Sequence, residues 1–188
     1  MAKALVIYSS ETGNTEKVAR ALVQSFRQYD WQVDTFKIGR SWKEEPFVFS
    51  DYDLLCVGSH VHWSLPSPWL VELLRSPAIP SRQISTGPQC GVAFATYGGA
   101  HLGPREADVC LTYLEVLFEH LGFLTVDRLA IPGKIGKAIN PQFYHPDLQN
   151  HPDKNDMGRI ASFVKELHQR SELISLIGKT TVLNKTHN

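Results

Sequence analysis

The residues that could carry chemistry are concentrated in one stretch near the start of the chain, which we call the first loop. It consists of Ser10, Glu11, Thr12, Gly13, Asn14 and Thr15. An apolar run precedes it and an amphipathic segment follows it, so it is expected to join a buried strand to a helix. A helix N-terminus has unpaired N–H groups and a partial positive charge, and hydroxyl and amide side chains add further donors. A simple helix cap needs only one such residue. The composition therefore predicts a phosphate site.

Two further polar stretches follow predicted buried strands. The second loop consists of Ser59, His60, Val61, His62 and Trp63, and the third of Thr96, Tyr97, Gly98 and Gly99. The carboxyl ends of parallel strands lie at one edge of a sheet, where ligands bind. Trp63 and Tyr97 could hold a flat ring between aromatic faces. Each also has a plainer interpretation, in which Trp63 packs over nearby prolines and Tyr97 closes the end of the sheet.

The elements that must position these loops alternate along the chain. Apolar runs predict strands at 3–8, 32–38, 52–59, 91–97 and 123–131, and helical spacing predicts helices at 16–26, 69–74, 105–121 and 153–169. The alternation predicts a parallel sheet with helices on both faces. Gly122 is expected to end the third helix. We expect one domain over residues 1–170, followed by a C-terminal tail over residues 171–188.

Composition narrows the classes of function. The 188 residues include 19 basic and 19 acidic side chains, so the formal net charge is zero and no basic stripe indicates nucleic-acid binding. Apolar runs are too short to span a membrane, and the start does not resemble a signal peptide. The three cysteines are widely spaced and odd in number, which favours buried thiols over disulfides. We therefore expect a reduced, cytoplasmic protein.

In this order, the three loops resemble those of flavodoxins and flavodoxin-like proteins. Ser-Glu-Thr-Gly-Asn-Thr after the first strand is similar to the family's FMN-phosphate loop. Val-Gly-Ser-His-Val-His-Trp and Phe-Ala-Thr-Tyr-Gly-Gly resemble its two isoalloxazine loops. The resemblance covers residues 4–131 and, more loosely, the last helix. It implies an α/β three-layer sandwich with a five-stranded parallel sheet in the order 2-1-3-4-5. It also implies that FMN binds with its phosphate at residues 10–15 and its ring between residues 59–63 and 96–99.

The resemblance implies a low-potential electron carrier for unidentified redox partner proteins, as a monomer or a homodimer, with no catalytic acid, base or nucleophile. The alternative is an NAD(P)H-dependent FMN or quinone oxidoreductase on the same fold. A scaffold protein without redox function is least favoured, because the first loop is intact. Two features depart from the family. Flavodoxin carriers are typically acidic, and many have a glycine in the second loop, whereas none lies between His60 and Leu65 here.

The histidines of the loops allow three interpretations. His60, His62 and His101 could bind a metal, but no fourth ligand is evident in the sequence, so we predict no metal site. One or two of them could be ordinary exposed loop residues. A third possibility is electrostatic: a histidinium near the flavin would stabilise the anionic reduced form and raise its potential at low pH.

Overall fold

A five-stranded parallel sheet forms the centre of the chain, in the order β2-β1-β3-β4-β5. The structure, a computed structural model, describes residues 2–40, 48–76, 89–99, 103–135 and 146–185. The strands are β1 Lys3–Ser9, β2 Gln32–Ile38, β3 Leu54–His60, β4 Cys90–Tyr97 and β5 Leu124–Pro132. Their order reverses at β1, because β2 lies on one side of it and β3 on the other. This point is where an open parallel sheet binds ligands.

Four helices cover the two faces of the sheet. They are α1 Asn14–Arg27, α2 Pro68–Leu74, α3 Asp108–His120 and α4 Lys154–Lys185. Side chains of α1 and α4, such as Leu22 and Ile160, pack on one face around Phe94. Side chains of α2 and α3, such as Leu70 and Leu111, pack on the other face. The predicted three-layer sandwich and its strand order are confirmed.

The central strands are apolar along their whole length because helices cover both of their faces. Residues Ala4 to Ser9 of β1 and Leu54 to Ser59 of β3 are all buried. The edge strands β2 and β5 alternate or expose more residues, since each has a neighbour on one side only. This difference explains why β2 has the weaker strand pattern in the sequence.

Two helix ends follow well-defined local rules. Gly122 has a φ of +86° and follows α3, and the N–H of Phe123 donates to the carbonyl of Phe118 at 2.9 Å, as in a Schellman motif. The predicted role of Gly122 at the end of this helix is confirmed. At the start of α4, Asp153 and Asp156 each accept a hydrogen bond at 2.9 Å from the other's backbone N–H. This reciprocal pair is a capping box.

Three helix boundaries differ by two or more residues from the sequence prediction. α1 begins at Asn14 rather than at residue 16, and the predicted start of the third helix is a 3₁₀ segment, Gly103–Ala107, before α3. α4 continues to Lys185, well beyond the predicted end at residue 169. No proline, the residue that most strongly breaks a helix, lies in residues 171–185. The division between a domain and a tail at residue 170 stays a prediction.

No helix in the described ranges is both long enough and apolar enough to cross a membrane.

Candidate functional site

The first loop presents backbone donors at the start of α1. Gly13 lies at the N-cap with a φ of +86°, a left-handed conformation that favours glycine. The Ser10 hydroxyl accepts a hydrogen bond from the N–H of Glu16 at 3.2 Å. Within the described part of the chain, the N–H groups of residues 11–15 have no hydrogen-bond partner. Unpaired donors at a helix N-terminus suit a phosphate group.

A buried hydrogen bond joins the first loop to the third. The hydroxyls of Thr15 and Thr96 lie 2.8 Å apart, and the two residues are 0% and 5% exposed. Thr15 belongs to the first turn of α1, whereas Thr96 is near the end of β4. The bond therefore fixes the start of α1 against the carboxyl edge of the sheet.

Asn14 connects the first loop to the segment after β5. Its Nδ2 atom donates to the carbonyl oxygen of Lys134 at 2.8 Å and to the Thr12 hydroxyl at 3.1 Å. A Cβ atom on Gly133 would lie only 2.8 Å from that Nδ2 atom, so glycine allows this close approach. The Oδ1 atom of Asn14 is buried and has no partner among the described residues. An unpaired buried acceptor is costly, and its presence here is typical of a binding site.

Buried serines fix the two ends of the second loop. The Ser59 hydroxyl accepts from the N–H of Ser67 at 2.8 Å and donates to the carbonyl of His60 at 2.7 Å. The Ser67 hydroxyl accepts from that of Ser9 at 3.0 Å. Burial raises the pKa of the Cys110 thiol of α3, which neighbours Ser59, to about 12. The root of the loop is therefore bonded to Ser67, just before α2, and through Ser67 to the end of β1.

The tip of the second loop is a tight two-residue turn. His62 and Leu65 exchange backbone hydrogen bonds of 2.9 and 3.0 Å. Trp63 and Ser64, between them, have φ values of 49° and 65°, as in a type I′ turn. The Trp63 residue is 83% exposed. Its indole therefore stands in solvent at the tip, and the predicted packing over nearby prolines buries little of it.

The third loop is closed by the segment after β5. The carbonyl of Tyr97 accepts from the N–H of Gly133 at 2.8 Å, and the Gly99 N–H donates to the Glu106 carboxylate. Gly98 lies against the side chain of Ile135. Tyr97 is 7% exposed, and burial raises the pKa of its hydroxyl. This placement matches the plainer interpretation of Tyr97, in which its ring closes the end of the sheet.

His60 connects the second loop to the first. Its Nε2 atom lies 3.6 Å from Oε1 of Glu11. Its Nδ1 atom is buried, and no described residue offers it a hydrogen bond. The rings of His60 and His62 meet edge to face, with centroids 6.5 Å apart. The N–H of Val61 donates to the carbonyl of Thr96 at 2.9 Å, which keeps the second and third loops side by side.

The structure thus brings the three predicted loops together at one edge of the sheet. It does not give Trp63 and Tyr97 two exposed faces for a ring, since one is at a solvent-exposed tip and the other is buried. The predicted residue His101 lies outside the described residues. Sequence reasoning missed four residues that shape this edge: Ser9, Ser67, Gly133 and Lys134. Ser9, Gly133 and Lys134 lie within three residues of predicted strand ends, which could have indicated them, whereas Ser67 has no such signal.

A separate apolar cavity of about 60 Å³ lies at the opposite edge, near the amino ends of β3 and β4. Trp31, Leu54, Cys90 and Leu167 are among its lining residues. Burial raises the pKa of the Cys90 thiol. The cavity is far too small for a flavin, since drug-sized ligands occupy pockets of roughly 300–1,000 Å³.

Comparison with known proteins gives a structural likeness only. No family profile matches the chain, and no curated protein matches it in sequence. Flavodoxin 1 from Bacillus cereus, in its oxidised form, has a TM-score of 0.64 at 14% identity, over 89% of this chain and 98% of that one. A flavodoxin from the domain Archaea has a TM-score of 0.60 at 15% identity, over 90% and 99%. A short-chain flavodoxin associated with a non-canonical PDU bacterial microcompartment has a TM-score of 0.63 at 15% identity, over 91% of this chain and 99% of that one.

Identities this low show the fold alone. The chain therefore has a flavodoxin-like α/β fold, as the resemblance of its loops predicted.

Proposed function

We propose that this protein binds FMN non-covalently at the three loops and carries electrons between redox partner proteins. One observation supports this most strongly: among the described residues, the N–H groups of residues 11–15 are unpaired at the N-terminus of α1, beside the buried Thr15–Thr96 bond. A phosphate there would gain several donors and the favourable end of the helix dipole. The flavodoxin-like neighbours make FMN the natural source of that phosphate.

The residues around the first loop fit such a ligand. Gly13 has open space around the position of a Cβ atom, so a ligand can approach its backbone closely. In the proposal, residues 10–15 hold the phosphate, and residues 59–63 and 96–99 lie along the ring. A bound flavin supplies the redox chemistry, while the protein fixes its position and its electrostatic surroundings. No side chain is assigned as a catalytic acid, base or nucleophile.

A second candidate function is an NAD(P)H-dependent FMN or quinone oxidoreductase. The placement of Trp63 and Tyr97 favours it, because the buried Tyr97 ring and the solvent-exposed Trp63 indole leave room over a flavin. A nicotinamide or a quinone must reach the ring face to exchange a hydride or electrons. Flavodoxin carriers are typically acidic, so the neutral net charge also favours the oxidoreductase.

The absorption spectrum of the purified protein, followed by anaerobic addition of NADH and NADPH, tests both candidates. A flavin spectrum that stays oxidised with both nucleotides supports the carrier. Rapid bleaching supports the oxidoreductase. A colourless protein that does not take up added FMN contradicts both. Chromatography of the flavin released on denaturation distinguishes FMN from riboflavin and FAD.

A further inference from the structure

A contact between a carboxylate and an imidazole spans the first and second loops where a phosphate is expected. The Glu11 carboxylate and the His60 imidazole face each other at 3.6 Å, longer than a normal hydrogen bond. The Glu11 side chain is 69% exposed, whereas that of His60 is only 15% exposed. Exposed ion pairs contribute little to stability, so Glu11 can leave this contact at low cost.

The position of His60 in the sheet brings it close to the start of α1. Side chains alternate between the faces of a strand, and Leu54 and Cys56 of β3 belong to the cluster beneath α1 and α4. His60 is separated from them by an even number of residues along β3, so its side chain is on the same face. Its neighbour in register on β4 is Thr96, whose hydroxyl bonds to Thr15 in the first turn of α1. The imidazole therefore lies on the face of the sheet that carries the unpaired N–H groups.

The imidazole has hydrogen-bonding capacity that the described chain does not satisfy. Among the described residues, its Nδ1 atom is buried without a partner, and its Nε2 atom faces the exposed carboxylate of Glu11. Neutral imidazole donates one hydrogen bond and imidazolium donates two. An anion beside Nε2 therefore suits the imidazolium form and the neutral tautomer that is protonated at Nε2.

We infer that His60 recognises the phosphate of the ligand bound at the first loop, and that the Glu11 carboxylate competes with that phosphate for Nε2. A phosphate also gains the N–H groups of residues 11–15, so it displaces the single carboxylate. The inference rests on the proposed function, FMN binding, for the identity of the group that carries this phosphate. It makes His60 a residue that distinguishes FMN from riboflavin.

Other charged groups near this position are already engaged or lie further away. Glu16, in the first turn of α1, pairs with Arg20 at 2.5 Å and Lys37 at 2.7 Å. His62 meets His60 ring to ring at 6.5 Å. The Glu11 carboxylate is therefore the group that opposes an incoming phosphate at Nε2.

The ratio of dissociation constants for riboflavin and FMN tests the inference. His60→Leu should reduce this ratio about tenfold, because it removes a charge-assisted hydrogen bond to phosphate, whereas any change in ring contacts affects riboflavin and FMN alike. His60→Gln, which keeps an N–H donor, should retain part of the ratio. His62→Leu is the matched control and should change both dissociation constants alike. A ratio that is unchanged in His60→Leu and His60→Gln overturns the inference.

Glu11→Gln tests the competing carboxylate. It should tighten FMN binding about threefold and leave riboflavin binding unchanged, since a like-charge contact with phosphate is removed. Equal changes for both flavins would overturn the role given to Glu11.

Inorganic phosphate separates this inference from the proposed function. Phosphate that shifts the imidazole NMR signals of His60 in a protein that binds no flavin supports the inference and contradicts FMN binding. If the protein binds FMN but the ratio of its riboflavin and FMN dissociation constants does not change in the His60 variants, FMN binding is supported and the inference is contradicted. Absence of both responses contradicts both.

Discussion

The hydroxyls of Thr15 and Thr96 lie 2.8 Å apart in a buried contact between residues that are 81 positions apart in the chain. The hydroxyl is the one polar group in each of these side chains, so neither side chain can form the bond with another atom. Substituting one threonine with valine leaves the other hydroxyl buried and unpaired, which costs about 1–3 kcal/mol of unfolding free energy. We therefore expect both Thr15→Val and Thr96→Val to unfold at lower urea concentration than the wild type.

The double variant provides the control for this contact. Thr15→Val/Thr96→Val removes both polar groups, so its loss should be smaller than the sum of the two single losses. Two losses that simply add would show that the hydroxyls do not interact.

Ser59 is expected to be the most important side chain for the root of the second loop. Ser59→Ala removes the acceptor for the N–H of Ser67, which is completely buried, and should lower the unfolding free energy by about 1–3 kcal/mol. Ser67→Ala is the matched control, because it loses only the hydroxyl contact with Ser9 and keeps the N–H bond to Ser59. Chemical denaturation measures both. A Ser59→Ala loss smaller than that of Ser67→Ala would contradict this role.

The turn at the tip of the second loop gives a backbone prediction. Ser64 has a φ of 65°, a left-handed conformation that costs a non-glycine residue about 1–2 kcal/mol. Ser64→Gly removes that strain but gains flexibility when unfolded, so it should raise the unfolding free energy by roughly 0.5 kcal/mol. Ser64→Val should lower it, because a branched side chain is strongly disfavoured at positive φ. The opposite order in denaturation experiments would exclude this turn.

The start of α4 should weaken in acid. Hydrogen bonds from the backbone N–H groups of Asp156 and Asn155 hold the pKa of Asp153 below its ordinary value. A lowered pKa in the folded state stabilises the protein above the unfolded pKa, which is about 3.9 for aspartate. This stability is lost as the pH falls below that value and through the lower, folded pKa.

Asp153→Asn checks this pH dependence, because asparagine also caps helices but does not titrate in this range. The melting temperature of the variant should fall less steeply with acid than that of the wild type. Parallel curves from neutral pH to pH 2 would contradict the assignment.

Local patterns in the sequence predicted most of the fold. Apolar runs such as residues 3–8 identify strands that are covered on both faces, and Gly122 identifies a helix end. The extension of α4 to Lys185 was missed because the helix was predicted from its apolar spacing. That spacing becomes less regular after residue 169, whereas the helix continues. Strand order came from the resemblance of the loops to a known family, since periodicity alone does not specify it.

The site was predicted in its location but not in its contacts. Small polar residues at three strand ends predicted which loops meet. The bonds that join them, between Ser9 and Ser67 or Asn14 and Lys134, connect residues 58 and 120 positions apart. Such pairs depend on register and helix packing, which a single sequence does not reveal. The burial of Tyr97 also depends on packing between distant residues, because its side chain belongs to the buried cluster that includes α2 and α3.

A titration of ¹⁵N-labelled protein with FMN, followed through backbone amide signals, tests the central claim most directly. FMN binding at the three loops predicts that the largest shifts fall on residues 10–15, 59–63 and 96–99, with the N–H groups of residues 11–15 responding to the phosphate. Shifts centred on Trp31, Leu54 and Cys90 at the opposite edge, or no shifts at saturating FMN, would contradict it.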